Sequence, residues 1–557
     1  MNNLSTDVLI IGSGGAGLRA AIEARRQGLS VILVSKSKTG LANCTASAMG
    51  AFRVSKEEKG ITRHFQETLE AGRFLNNPNL VRTLVTKAWH AVGELEKFGV
   101  ELLFESGKAS VIAEKPPAGV ILSKALSSYA LSMGVNVLEN AIAFDLPVEG
   151  NRCLGALIFK KDIGEIIAAS AKAVILATGG YARLYIRNDN PPAITGDGLV
   201  LAFRAGAELQ DLEFIQFQPM FIDAGVPRMP ILDWLMEATK DLVPEGPLLN
   251  EKGERFLGRY GLIKQKILRD NLTVAIEREL FKGNRHKDSV IFDLTSLSPQ
   301  EIEGAFDSEF YKHLIAPFKR ILSTRKLHIA SSAHYTMGGI RINEKCETKV
   351  EGLYATGEVA GGIHGANRLG GNALTETMVF GSMAGRQATD YAKHVKISII
   401  EKKHIKEEKR IFQEFRNKHR PVKINPSIVK EDIKSVISQF CRPVRSEKGL
   451  MSALEELSRI ERKASFMFAD NPEQLREALE ADSMLLLAKL VVSSALERKE
   501  SRGAHFRCDY PQSDDKNWLK NVVIVIENGR PKIQYEPVSR ALDFNRFWNT
   551  HSHSMDS

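Results

Sequence analysis

The tightest constraint on the fold lies in the first thirty-five residues. Val8-Leu-Ile-Ile11 reads as a short buried strand, and Gly12-Ser-Gly-Gly-Ala-Gly17 follows it. Leu18 to Gln27 then carries helix-forming residues, Gly28 ends the helix, and Ser30-Val-Ile-Leu-Val34 is a second strand. A strand, helix and strand at this spacing form a βαβ unit, which favours a parallel sheet covered by helices. The pattern Gly12-x-Gly14-x-x-Gly17 has one physical reason for each glycine. The first permits the tight turn, the second lets backbone approach a pyrophosphate, and the third lets helix and strand pack closely. The helix N-terminus adds positive potential, so the unit points to a dinucleotide. A generic NAD site would carry an acid roughly 20 residues on, at the end of the second strand. Ser35 and Lys36 stand there instead.

Two further strands end in the same manner. Ala173-Val-Ile-Leu-Ala177 runs into Thr178-Gly-Gly180, and Gly352-Leu-Tyr-Ala-Thr356 runs into Gly357-Glu358. Open α/β sheets bind ligands at the carboxyl ends of their strands, so both are expected at the ligand. Their wide separation implies an inserted domain between them. The fold class is therefore α/β. A Rossmann-like domain occupies 1–230 and 345–395, and an inserted α+β domain occupies 231–344. A helical domain of about three helices covers 396–500, on the apolar spacing of Leu475 to Leu496. A small β-containing segment at 501–557 carries Val522–Ile526, the turn Asn528-Gly529, and Lys532–Tyr535. Four such units suit a chain of 557 residues.

Composition excludes several classes. With 43% hydrophobic and 26% charged residues, the chain is neither disordered, collagen-like nor disulfide-stapled. The net charge of +9 fits an anionic substrate or an acidic partner, and it is no nucleic-acid signature. Five cysteines lie far apart with no C-x-x-C, so there is no iron–sulfur or zinc ligand set and no metal is expected. Reduced thiols and a cytoplasmic setting follow. The opening Met-Asn-Asn-Leu-Ser-Thr-Asp lacks the basic region and apolar core of a signal peptide, so none is expected, and no apolar run reaches the ~20 residues of a membrane span.

A longer ordered set of motifs carries a family resemblance. It comprises Ser35-Lys36, Ala177-Thr-Gly-Gly180, Thr195-Gly-Asp-Gly198, His334-Tyr-Thr-Met-Gly-Gly339, Gly357-Glu358 and His364-Gly-Ala-Asn-Arg-Leu-Gly-Gly-Asn372. Glu500-Ser-Arg-Gly-Ala-His505 and Asp514-Asp-x-x-Trp-Leu519 follow. Together, from residue 7 to about 520, the chain resembles the flavoprotein subunits of the succinate dehydrogenase / fumarate reductase family, whose relatives include aspartate oxidase and adenylylsulfate reductase. The resemblance implies FAD, with the 231–344 insertion as a capping domain over the substrate. It assigns Gly12, Gly14, Gly17, Ser35 and Lys36 to the ADP half of FAD. Ala177, Thr178 and Gly179 would pass close to the cofactor, Asp197 would sit beside it, and Glu358 would bond its hydroxyls. Asn372 to Leu374 would lie near the flavin ring, at a helix N-terminus.

The departures from the family pattern are equally informative. Family members in respiratory complexes often bind FAD covalently through the histidine of a Ser-His-Thr segment, which here reads Asn43-Cys44-Thr45. The resemblance therefore implies non-covalent FAD, with a cysteinyl bond through Cys44 as the alternative. On the substrate side His334 and Arg368 match carboxylate-binding residues, and the fork of an arginine suits bidentate recognition. A core hydrogen bond for His334 and a structural ion pair for Arg368 are the bland alternatives. The family's Gln-Phe-His-Pro-Thr reads Gln216-Phe-Gln-Pro-Met220 here. Counting forward from Glu237 in the divergent segment Met236–Gly246 places Lys240 at the family's proton-delivering arginine. Lys240 then has two readings, a buried general acid or a surface lysine in a remodelled loop.

The expected activity is FAD-dependent hydride exchange with a small anionic substrate, an alkene/alkane couple of a carboxylate. Catalysis is expected from Lys240, His334, Arg368 and Glu237. An iron–sulfur or other redox partner subunit would exchange the electrons. Chemistry like that of aspartate oxidase or adenylylsulfate reductase, and an electron-relay scaffold without an organic substrate, stand as the rival readings.

Overall fold

The computed structural model describes residues 2–105, 107–113, 117–222, 236, 242–263, 269–282, 288–305, 326–416 and 422–538. Its centre is a seven-stranded sheet. Asn2–Ile11 runs parallel to Val31–Val34 on one side and to Glu165–Leu176 on the other. Asn136–Leu138 extends the first side. On the second side Glu165–Leu176 serves two neighbours in succession. Residues 165–170 pair antiparallel with Gly155–Lys160, and residues 174–176 pair parallel with Leu353–Ala355. Ala141–Asp145 closes that edge. Helices cover the sheet, so Val8–Ile11 and Val31–Val34 are buried without polar alternation. The two distant strands read from the sequence are thus adjacent and parallel.

The inserted segment builds its own antiparallel sheet, in the order Ile215–Phe221, Lys326–Thr336, Val290–Asp293, Leu248–Leu249. The helix Arg269–Lys282 packs on it, around a separate apolar core of Phe221, Leu248, Phe256, Phe292 and Ile329. The sequence reading starts the inserted domain at 231. Ile215–Phe221 pairs along its whole length with Lys326–Thr336, so it belongs to the cap sheet. The chain is also back beside the large domain before 345, where Gly339–Ile340 pairs with Leu209–Gln210. A wholly buried strand carries no mark of which sheet it joins, so its pairing is not legible in the sequence.

Four helices follow: Lys402–Phe415, Pro426–Phe440, Glu447–Ala464 and Pro472–Glu497. The last three pack on one another as the expected bundle. The first instead lays Phe412 against Phe144 and Phe159 of the large sheet, with ring centroids 4.8 and 5.4 Å apart. The tail is a hairpin, Lys520–Glu527 with Arg530–Pro537. Its turn residues Asn528 and Gly529 both have positive φ, 52° and 73°, as the favoured two-residue hairpin turn requires. The hairpin pairs with Leu209–Gln210, so the C-terminal segment is no separate appendage. Among the described residues no helix is long and apolar enough to cross a membrane.

Candidate active site

At the carboxyl ends of Asn2–Ile11, Glu165–Leu176 and Leu353–Ala355 the backbone opens into a cavity. It holds about 870 Å³ of atom-free space, part of it open to solvent. Gly12, Gly14, Ser35, Lys36, Ala177, Thr178, Gly179, Asp197 and Glu358 all line it. The glycines act at different points. Gly12 has φ +115°, and a Cβ there would meet the Ala177 carbonyl oxygen at 2.1 Å. A Cβ on Gly17 would meet the Gly12 carbonyl oxygen at 1.9 Å, so Gly17 lets the helix sit on the turn without itself reaching the cavity. A Cβ on Gly14 would find its nearest neighbour, Asn43 Cβ, at 3.9 Å, so what Gly14 keeps free is cavity space. The helix Gly15–Arg26 has no side-chain cap and no acid in its first turn. Its N-terminal N–H groups and dipole are therefore suited to a pyrophosphate. The Thr178 hydroxyl is buried on the same wall with no partner among the described residues. This cradle fits a dinucleotide.

Lys36 reaches across the cavity wall to Thr195 Oγ1 at 2.8 Å and Glu480 Oε1 at 3.2 Å, and it pairs with Asp197. Glu358 accepts hydrogen bonds from the Thr336 backbone N–H at 3.0 Å and the Thr336 hydroxyl at 3.2 Å. Burial pushes its carboxyl up to about 7. Asn372 and Leu374, expected near the flavin ring, are not among the residues that line this cavity. Asn372 is fully buried, and its amide bonds His64 Nε2 at 2.7 Å and Thr68 Oγ1 at 3.0 Å. The helix Asn372–His394 presents Thr377 to the cavity instead, because the phase of the helix turns its first residues elsewhere.

Cys44 connects the cavity to a second cluster. Its thiol donates to Asn190 Oδ1 at 3.3 Å, and burial pushes that thiol well up, with the charges of Glu358 and Asp189 adding to the effect. Asn190 Nδ2 donates to Asp189 Oδ1 at 2.9 Å and to the His334 carbonyl at 2.8 Å. Asp189 Oδ2 lies 2.7 Å from His334 Nδ1, and His334 Nε2 lies 3.0 Å from Arg368 Nη2. A guanidinium only donates, so Nε2 accepts and the ring proton sits on Nδ1. Burial lowers the His334 pKa, Asp189 partly offsets this, and Arg368 and Arg269 depress it further. His334 is therefore a neutral imidazole.

Arg368 also donates to Gln216 Oε1 at 2.8 Å, and its guanidinium lies 4.5 Å from the centre of the Tyr335 ring. Gln216 in turn donates to Asn367 Oδ1 at 2.9 Å and to the Arg368 carbonyl at 3.0 Å. Arg368 is 6% exposed, and its Nε–H is buried with no partner among the described residues. Burial brings its pKa down to about 10, with the nearby charge of Arg269 adding to it. A desolvated guanidinium with an unused N–H is a ready partner for a carboxylate. Gln218, at the family's histidine position, donates to Asp189 Oδ2 at 3.3 Å and so braces the carboxylate that orients His334.

Sequence reasoning missed Arg269. This residue opens the helix Arg269–Lys282, and its charge acts on both His334 and Arg368. The available signal was Arg269-Asp270 at the start of a helical stretch, which nothing local ties to residue 334 or 368. Lys240 and Glu237, chosen from the sequence as catalytic, lie outside the described residues.

Comparison with known proteins agrees with these features. A family model described as an FAD binding domain matches residues 7–374, and one described as the fumarate reductase flavoprotein C-terminus matches residues 430–546. An uncharacterised FAD-dependent oxidoreductase of Methanocaldococcus jannaschii is 36% identical over 94% of this chain and 96% of its own. A fumarate reductase (CoM/CoB) subunit from Methanothermobacter marburgensis is 34% identical over 93% of this chain and 96% of its own. The solved structure of E. coli quinol fumarate reductase superposes with a TM-score of 0.84 at 27% identity, covering 98% of each chain.

Proposed function

Since the chain belongs to the family of FAD-dependent fumarate reductase and succinate dehydrogenase flavoproteins, we propose that it interconverts a carbon–carbon double bond and single bond in a small carboxylate. FAD, its cofactor, supplies the two-electron redox chemistry when bound. The observation that carries the substrate class is the buried Arg368 guanidinium, held by neutral His334 and Gln216 with one N–H left over. Arg368 clamps a substrate carboxylate, and His334 fixes the guanidinium through Nε2. His334 is neutral and uses Nε2 to accept, so it is not the acid that protonates carbon. That role is assigned to Arg269, whose charge acts on both His334 and Arg368, in place of Lys240. The His-to-Gln change at Gln218 alters how the substrate's far end is held, because Gln218 is turned to Asp189.

FAD is held without a covalent bond. Cys44 stands where the family's histidine would be, and it is a protonated thiol bonded to Asn190. Electrons pass through a separate redox subunit, preferably an iron–sulfur one. Five scattered cysteines supply no cluster of their own, and the M. marburgensis relative is itself one subunit of its enzyme. The test is to reduce the protein chemically, mix it anaerobically with small unsaturated mono- and dicarboxylates, and follow flavin reoxidation. Rapid reoxidation by one of them supports the proposal. Reoxidation only by amino-acid-derived imines, by sulfur oxyanion donors, or by no organic acid would replace it with one of the rival chemistries.

A further inference from the structure

Arg368 and Arg269 belong to different parts of the molecule, yet both are tied to one turn, residues 72–76. This turn follows the helix Glu58–Ala71. The Gly72 carbonyl accepts from the Ala366 N–H at 2.9 Å, and Asn76 Nδ2 donates to the Ile363 carbonyl at 2.8 Å. These bonds hold the loop that leads to Arg368. A Cβ on Gly365 would meet the Gly72 carbonyl oxygen at 2.4 Å, so the two backbones pass at close approach. The next residue faces the cap. Arg73 Nη2 donates to Asp270 Oδ2 at 2.6 Å and reaches Asn271 Oδ1 at 3.4 Å. Asp270 is the neighbour of Arg269, and its side chain is 1% exposed in the ion pair.

The turn is strained where it makes this contact. Arg73 and Phe74 are consecutive non-glycine residues with φ of 54° and 60°. Such conformations persist only where the surroundings impose them, and they cluster at functional sites. The strain does not serve to bury Phe74, which is 55% exposed. The C-terminal segment holds the turn from behind. Arg502 donates to the Arg73 carbonyl at 3.3 Å and is itself clamped by Glu500 at 2.8 Å through two nitrogens. Ala504 N–H bonds the Ala366 carbonyl at 3.0 Å, and Asn521 bonds the Leu75 carbonyl at 3.2 Å.

The cap helix sinks Leu272, Ala275 and Ile276 into the apolar core of the inserted domain, and Phe217 and Val274 join the polar residues at its start. A small cavity lined by Gln216, Asp270, Thr273, Pro443 and Ala504 lies there. Thr273 bonds the Phe217 carbonyl at 3.1 Å, and further along Arg442 grips Glu277 through two bonds of 2.9 and 3.0 Å. At the first turn, which carries Arg269, the Arg73–Asp270 pair adds a buried polar tie to the large domain.

We infer that Arg73 is a positioning residue. Through Asp270 it sets the placement of Arg269 relative to Arg368, and it latches the inserted domain onto the turn that also anchors the Arg368 loop. This rests on the reading that a substrate carboxylate seats against these two arginines. Removing the Arg73 charge leaves the buried Asp270 carboxylate unpaired and frees the first turn of the helix to move.

The test uses the FAD-loaded protein and four variants: Arg73→Met, Arg73→Lys, Asp270→Asn, and the double variant of Arg73→Met with Asp270→Asn. In Arg73→Met, kcat should fall by about 10²-fold, the scale of an ångström of misplacement in a reacting group. KM should move by less than about 3-fold, because Arg368 still binds the carboxylate. Arg73→Lys should recover most of the rate. The double variant should be no slower than the worse single one, as expected for two ends of one interaction. Flavin content and the rate of flavin reduction by dithionite should not change. Hydrogen exchange provides a readout that needs no substrate. Amides of residues 270–274 should exchange faster in Arg73→Met, and those near Glu277 should not. Unchanged exchange, multiplying losses in the double variant, or flavin lost in step with activity would each overturn the latch. A parent protein that turns over no small carboxylate would instead overturn the proposed function, and the exchange result would still decide the latch.

Discussion

Arg368 retains one unused N–H in a buried, stacked setting, and its chemistry can be separated from its charge. Arg368→Lys keeps the cation and loses the planar fork. Turnover should drop by about 10- to 10²-fold, the worth of one charge-assisted hydrogen bond. Bound FAD and thermal stability should be unchanged, because the guanidinium touches Gln216, His334 and Tyr335 rather than the cofactor cavity. Flavin lost in proportion to activity would make Arg368 structural. The proton donor is distinguished by a pair of variants. Arg269→Met should slow flavin reoxidation by substrate about 10²–10⁴-fold, the usual worth of a general acid. Lys240→Met should have little effect, and the opposite ranking would restore the role given to Lys240 by the sequence. Glu358 makes a pH-dependent prediction. Its carboxyl titrates near 7 in the folded chain against an ordinary 4.5, so between those values the folded state keeps a proton that the unfolded state has lost. Apoprotein stability should therefore fall as pH rises from about 4.5 to about 7, and Glu358→Gln should remove that part of the slope. Cofactor hydroxyls favour the ionised carboxylate, so FAD should bind more tightly as pH climbs through 7 in the parent but not in the variant. Melting curves and FAD titrations across this range measure both effects.

At the scale of elements, the fingerprint turn separates folding from binding. Gly12→Ala and Gly17→Ala each drive a Cβ into a backbone oxygen, at 2.1 and 1.9 Å, and should prevent a stable large domain. Gly14→Ala meets nothing closer than 3.9 Å, so the apoprotein should melt as the parent does while FAD affinity falls, because the new methyl group occupies cavity space. Differential scanning fluorimetry with and without added FAD distinguishes the three. The same turn shows why some features were legible in the sequence. Glycine spacing, a strand before it and a helix after it are short-range signals, and the strands at 173–177 and 352–356 carried their own glycine ends. The cap strand Ile215–Phe221 was not legible as such, because a continuous buried run fits either sheet. Lys402–Phe415 was counted with the bundle since nothing local shows that Phe412 reaches Phe144 and Phe159 across some 250 residues. Arg269 was missed for the same reason. Its proposed role rests on its charge acting on residues 334 and 368, whereas counting along the divergent segment leads to Lys240.

At the scale of the whole molecule, the helical domain reaches into the cofactor site through one buried acid. Glu480, on the helix Pro472–Glu497, is fully buried and bonds Lys36 at 3.2 Å, Lys430 at 2.6 Å and Arg476 at 2.6 Å. Burial alone would raise its pKa, but the three cations outweigh it and hold the carboxyl at about 2. A carboxylate depressed in this way stabilises the fold at every pH above its ordinary range, and that contribution is lost as pH falls from about 4.5 through about 2. Glu480→Gln keeps the shape and removes the charge, leaving three cations around a neutral amide. Breaking a buried charge group in this way costs about 3–5 kcal/mol, at the lower end here because Lys36 keeps Asp197. Lys36 lines the cofactor cavity, so the loss should not stay within the bundle. The variant should release FAD faster than the parent at neutral pH, and added FAD should recover part of the lost melting temperature by mass action. Arg459→Ala makes the comparison, since its pairs with Glu455 and Glu456 are exposed and on the same domain. It should change neither FAD release nor stability measurably. If Glu480→Gln lowers the melting temperature while FAD dissociates at the parental rate, the helical domain is merely attached to the large one. If both move together, the two domains and the cofactor form one cooperative unit, with Glu480 as the charge that joins them.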